Sequence, residues 1–206
     1  PRSIDHHPKT ERMKLVESLH RETKRNPNIS YAATDHFIVI YKGGKDVYRH
    51  FGGWIDTHPS SLAEYLEINL IKATRLFGIK VPSITQMVQV EKGGLRSLIA
   101  SGYYSGSQRH PFQLLKDPDK NDLRYTHVYP HRSRYGQKPS IYENSLHEAI
   151  GHGVVNAELL GELEDKEHTA REINFVEEGL ASYIAEFLLG VNSHDVFAKQ
   201  LVLFAE

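Results

Sequence analysis

Apolar positions follow two different periods along this chain, and each stretch implies an element. Met13, Leu15, Val16 and Leu19 recur at helical spacing, so 9–26 is expected to form an amphipathic helix that stops at Asn26-Pro27. Phe37-Ile38-Val39-Ile40-Tyr41 is a β-branched and aromatic run of strand length. Lys42-Gly43-Gly44-Lys45-Asp46 suits a turn leading into a second strand over 47–51. Pro59-Ser60-Ser61 opens a long amphipathic helix reaching Phe77-Gly78, with proline tolerated in the first turn. Residues 84–91 alternate like a strand. The stretch 102–121 turns polar and rich in Gly, Ser, Pro and Asp, which predicts a long loop, a lid or substrate wall. Leu123 to Tyr129 reads as a strand. A helix begins near Pro139, and Ile141, Leu146, Ile150 and Val154 or Val155 give it a stripe for burial. Helices over 167–190 and 194–204 close the chain, the last capped by Asn192 or Ser193.

Strands are thus confined to the first two-thirds and helices dominate the rest. The expected fold is α+β: a small mixed sheet packed on a helical subdomain that carries the metal motifs described below. One domain is expected over 1–206, with a mixed α/β part at 1–138 and a helical part at 139–206. Apolar residues make up 39% and charged residues 25%, as in ordinary globular proteins. The net charge of −1 leaves the chain as a whole no electrostatic reason to seek nucleic acid or an anionic membrane. No apolar run approaches the ~20 residues of a spanning helix, and no signal peptide opens the sequence, which favours the cytoplasm. The absence of cysteine removes thiol proteases, disulfide scaffolds and thiolate zinc sites. No G-x-S-x-G occurs, so serine hydrolase chemistry has no support.

The chemistry concentrates in His147-Glu148-Ala149-Ile150-Gly151-His152. Zinc hydrolases carry H-E-x-x-H on a helix, where two histidines share the ion and the glutamate handles the water. Here one residue is added. At i+5 the second histidine lies roughly 140° around a regular helix from the first, against about 40° at i+4. A single π-turn would bring the rings back together, and such bulges favour functional sites. Gly151, with no Cβ, makes that distortion easier. The other histidines, among them His36, His50 and His58, read as surface or hydrogen-bonded residues.

A His₂ site needs a third ligand, and Glu177-Glu178 lies about thirty residues on, in Phe175-Val176-Glu177-Glu178-Gly179-Leu180-Ala181-Ser182-Tyr183. Neighbouring glutamates on a helix point about 100° apart, so only one of the two can face the metal. The two strings together resemble a gluzincin metallopeptidase. H-E-x-x-G-H with E-E-x-x-A is similar to the dipeptidyl peptidase III branch. The spacing and Glu178-Gly179-Leu180-Ala181 are closer to the microtubule-associated tyrosine carboxypeptidase family and its bacterial Q-E-G-L-A relatives. In the wider superfamily the ligand is the glutamate before the glycine, which implies Glu178. The resemblance implies a zinc-dependent peptidase with one Zn²⁺ on His147, His152 and Glu178 and with Glu148 as general base and acid. It also implies that a strand before the zinc helix, at 123–129, pairs with an extended substrate.

Charge patterning adds a substrate expectation. Residues 123–138 carry Arg124, Arg132, Arg134 and Lys138 without an acid, while 158–167 are mostly acidic. Arginine binds a peptide's terminal carboxylate bidentately, so Arg132 or Arg134 near the site favours carboxypeptidase action. An acidic patch beside the cleft would instead favour an amino-terminal ammonium. Oxyanion stabilisation needs a further donor, and Tyr125, His127, Tyr129, His131, Tyr135 and Tyr183 are the candidates; Tyr183 is also a candidate substrate contact. The alternative is a catalytically inactive zinc-containing module that grips acidic peptides through the basic loop. A nucleic-acid-binding loop beside an accidental motif is the third reading, and it predicts steeply salt-dependent affinity.

Overall fold

The computed structural model describes residues 11–43, 58–81, 85–91, 102–105, 123–129, 140–159 and 170–190. It contains a five-stranded mixed sheet in the order β1-β2-β3-β5-β4. The elements are α1 (Glu11–Arg25), β1 (Ile29–Ala33), β2 (Phe37–Lys42), α2 (Pro59–Phe77), β3 (Thr85–Glu91), β4 (Gly102–Ser105) and β5 (Leu123–Val128). A continuous helical rod follows, made of α3 (Ser140–Ser145), a π-helix (Leu146–Asn156) and α4 (Ala157–Leu159); α5 (Ala170–Leu189) lies beyond it. This is the α+β architecture expected from the two periods.

Strands β2, β3 and β5 run parallel, with β1 and β4 antiparallel at the two edges. Helix α2 lies between β2 and β3 in the chain, as a parallel connection requires. Its ends are specified locally. His58 is the N-cap, with its side chain accepting from the Ser60 amide, and Pro59 follows it. Gly78 closes the helix in the left-handed conformation at φ 65°. Leu62, Leu66, Leu70 and Ala73 form its buried face.

Three expectations about strands are corrected. β1 was not foreseen, although Ile29 and Tyr31 alternate with polar or small neighbours. It pairs with β2 from Ile29↔Lys42 to Ala33↔Ile38, while β3 occupies the other edge of β2. Both edges of 37–42 are therefore filled, so a hairpin partner at 47–51 has no edge left to join; 47–51 itself lies outside the described residues. The polar stretch 102–121 is not all loop, because Gly102–Ser105 forms β4. Finally, β5 is interior, so β4 rather than 123–129 is the edge on that side.

The two faces of the sheet bury different things. Phe37, Val39, Tyr41, Val88, Val90 and Val128 join α2, the π-helix and α5 in one core, which includes Ile141, Leu146, Ile150, Val154, Val155 and Ile184. Every residue of the expected metal-helix stripe is in that cluster. Ile38, Ile40, Met87 and Tyr125 point the other way and pack with Leu19 and Ile29, with Leu15 and Val16 of α1 against them. No described helix is long and apolar enough to cross a membrane. The expected helix at 194–204 and its cap lie outside the described residues.

Candidate metal centre

His147 and His152 both lie in the π-helix. Its hydrogen bonds close at i→i+5, so residues five apart come one above the other. That is the geometric answer to the extra residue, and it extends over the whole of Leu146–Asn156 rather than a single turn. The imidazoles meet with Nε2 atoms 3.2 Å apart and rings nearly perpendicular, at 81°. Gly151 has a role beyond easing the distortion. It faces Ala181 of α5 with no room for a Cβ between them, and this close approach brings α5 to the site.

Glu178 comes in from α5. Its Oε2 is 3.2 Å from His147 Nε2 and its Oε1 is 3.3 Å from His152 Nε2. A tetrahedral ion with bonds of about 2.0–2.1 Å would hold neighbouring donor atoms about 3.3–3.4 Å apart. The donor set His₂Glu therefore fits one metal ion, and His147, His152 and Glu178 can hold it. Glu178 is 57% exposed while the histidines are largely covered, so the cluster opens to solvent on the α5 side.

Electrostatics agree with a cationic occupant. Hydrogen bonds from His147 and His152 outweigh burial and hold the Glu178 carboxyl far below the usual carboxylate range. Burial pulls the His152 imidazole down, but Glu178, with the charges of Glu148 and Glu177, leaves it raised. Glu148 is buried, at 8% exposure, follows His147 directly in the π-helix, and its charge contributes to the raised His152.

Two supporting residues were missed from sequence. Ser182 Oγ lies 3.5 Å from His147 Nδ1, one turn after Glu178 on the same side of α5. Asn156, four residues after His152, places its side-chain amide 3.1 Å from His152 Nδ1 and donates to the Glu177 carbonyl at 2.8 Å. Spacing at i+4 from each ligand was the available signal.

The helper candidates fare unevenly. Tyr125 belongs to the core on the far face of the sheet, where burial pushes its hydroxyl up to about 12. His127 shares that face by strand alternation and bonds Glu91 through Nδ1 at 3.3 Å. Neither faces the metal helix. Tyr183 lies roughly 140° around α5 from Glu178; it packs on the main core and stacks on Phe187. Arg132, Arg134, His131 and Tyr135 lie outside the described residues. His36 and His58 are engaged elsewhere, with Glu67 and as the α2 cap. Comparisons with protein-family models, curated proteins and solved structures give no match for this chain.

Proposed function

We propose that this chain holds one zinc ion on His147, His152 and Glu178 and hydrolyses peptide bonds, as the gluzincin metallopeptidases that its motifs resemble do. The observation that carries this is the closeness of the donors: the two histidine Nε2 atoms lie 3.2 Å apart, and Glu178 sets Oε2 3.2 Å from His147 Nε2 and Oε1 3.3 Å from His152 Nε2. When bound, zinc makes a water acidic near neutral pH and polarises a carbonyl. Glu148, buried beside the histidines, takes the proton from the water and returns it to the leaving amine. Ser182 and Asn156 fix the ring planes from behind. Among the described residues β4 is the edge strand beside the π-helix, and strand addition there would hold an extended peptide. Arg132 or Arg134 gripping a terminal carboxylate makes carboxypeptidase action the preferred form.

A second reading keeps the metal and drops turnover: a zinc-containing module that binds acidic peptides. It is favoured by the placement of Tyr125 and His127 on the far sheet face, which takes two oxyanion donors away from the site. One experiment separates the two readings. Zinc content is measured for the untagged protein and for Glu178→Ala, then peptides with free and blocked ends are offered to the wild type and Glu148→Gln. Stoichiometric zinc lost in Glu178→Ala, with hydrolysis falling about 100-fold or more in Glu148→Gln, supports the peptidase. Stoichiometric zinc with peptide binding unchanged in Glu148→Gln and no hydrolysis supports the binding module. A wild type that takes up no zinc when supplied with it ends both.

A further inference from the structure

Helix α2 gives one face to the core and keeps a second apolar group outside. Leu62, Leu66, Leu70 and Ala73 are buried, whereas Ile68, Ile71 and Leu76 are 55%, 40% and 48% exposed. Val81, just past the Gly78 cap, is exposed as well. Half of the large apolar side chains exposed among the described residues thus fall within 68–81. Scattered exposed apolar residues need no explanation, but a group of them does. Ile68, Ile71, Lys72 and Arg75 are spaced i, i+3, i+4 and i+7, which sets them along one side of the helix, and Leu76 is one turn beyond Lys72.

Cations are interleaved with these residues. Lys72, Arg75 and Lys80 are exposed, and residues 68–81 contain no acid. Among the described residues none of the three has an acidic partner within ion-pair distance. Of the nearest acids in the helix, Glu67 is turned to His36, and Glu64 lies one turn before Ile68 and bounds the patch. A chain of net charge −1 therefore carries a local basic patch, and the rest of it is net acidic.

The two kinds of group together define the occupant. An acidic unstructured tail is poor in apolar residues and would leave the isoleucines unmatched. A stable protein complex takes roughly 800 Å² from each partner. A ridge one helix wide and about 14 Å long falls short of that. A lipid surface with anionic head groups accepts both: the cations meet the head groups, and their long stems let Ile68, Ile71 and Leu76 reach the acyl boundary. We propose that the face of α2 from Ile68 to Leu76, with Lys80 and Val81, docks this protein on an anionic membrane surface. The contact is peripheral, and it orients the molecule, because the remaining surface is repelled by the same head groups.

Vesicle flotation tests this with the full chain and without reference to metal or turnover. Wild type should bind phosphatidylcholine vesicles containing about 30% phosphatidylserine, and not phosphatidylcholine alone. Binding should weaken steeply between about 0.1 and about 0.5 M salt. Lys72→Glu with Arg75→Glu should lower affinity about 30-fold or more, and the milder Lys72→Gln about fivefold where the double variant folds poorly. Ile68→Ser with Ile71→Ser should lower it about tenfold at unchanged charge. Lys24→Glu with Arg25→Glu makes the same charge change at the exposed end of α1 and should bind as wild type. Failure of wild type to bind the phosphatidylserine vesicles would overturn the proposal, as would equal binding to phosphatidylcholine alone. An equal loss in the α1 variant would reduce the effect to net charge and also overturn it. Unchanged vesicle binding in the isoleucine variant, with soluble polyglutamate bound as tightly as vesicles, would reassign the face to an acidic polypeptide.

Discussion

Gly151 and Ala181 are in contact at their backbones: a Cβ on Gly151 would come within 2.7 Å of both Cα and Cβ of Ala181. Ala181 is one turn from Glu178, so this pair of small residues sets how far Glu178 can reach towards the histidines.

Gly151→Ala is therefore expected to behave opposite to the general rule. In an open helix the change gains about 1 kcal/mol from propensity. Here the methyl meets the backbone of α5, and overpacking of this kind costs about 1–3 kcal/mol. The same displacement moves Glu178 away from the rings. Chemical denaturation and zinc titration should show both losses together, and a variant as stable as wild type would mean the helices are farther apart.

Ser182→Ala removes the group behind His147 while leaving all three ligands in place. Zinc affinity is expected to fall about tenfold, the lower end for an outer partner, because the 3.5 Å contact is long. Ser182→Thr should retain most of it. Chelator competition checks this, and equal affinity in Ser182→Ala would remove Ser182 from the support of the site.

Stability of the zinc-free protein should depend on pH through the same cluster. Glu178 is lowered in the fold, so its contribution is present above about 4.3 and is lost as pH falls through its folded value. His152 is raised, so its contribution is present below about 6.5 and is lost as pH rises through its folded value. Both are complete only between those limits. The exposure of Glu178 keeps the effect modest and sensitive to salt. Thermal denaturation of zinc-free wild type and Glu178→Gln should differ most inside that window, and a difference independent of pH would count against the ion pair. Added zinc should reverse the alkaline loss, since binding requires neutral imidazoles.

Gln86 offers a test of the core beneath the site. It is 1% exposed, and neither side-chain amide atom has a hydrogen-bond partner among the described residues. A Cβ on Gly153 of the π-helix would fall 2.7 Å from its Oε1. Gln86→Met keeps the shape and removes the unpaired amide, and should stabilise by about 1 kcal/mol. A destabilised variant would show that Gln86 is bonded to groups beyond those described.

Much of the architecture was legible one residue at a time. The amphipathic spacing and the signals at Pro59-Ser60-Ser61 and Phe77-Gly78 marked α2 to its ends, because helix propensity and end signals are local, whereas the capping role of His58 came only with the structure. The same holds for the Ile141-to-Val155 stripe and for the donor types His147, His152 and Glu178, whose chemistry is carried by side-chain identity. Short strands are another matter. β1 and β4 exist because a neighbouring strand accepts them, and their residues alone carry little signal. Tertiary structure alone decided that the π-geometry runs through eleven residues, since the packing of Gly151 on Ala181 compensates an unfavourable helix. It also decided that Tyr125 and His127 face away from the His147, His152 and Glu178 cluster, because the side of a strand that meets a given helix depends on how the sheet is stacked. Residue identity determined what this chain can ligate, and the approach of α5 to the π-helix determined that the three donors meet.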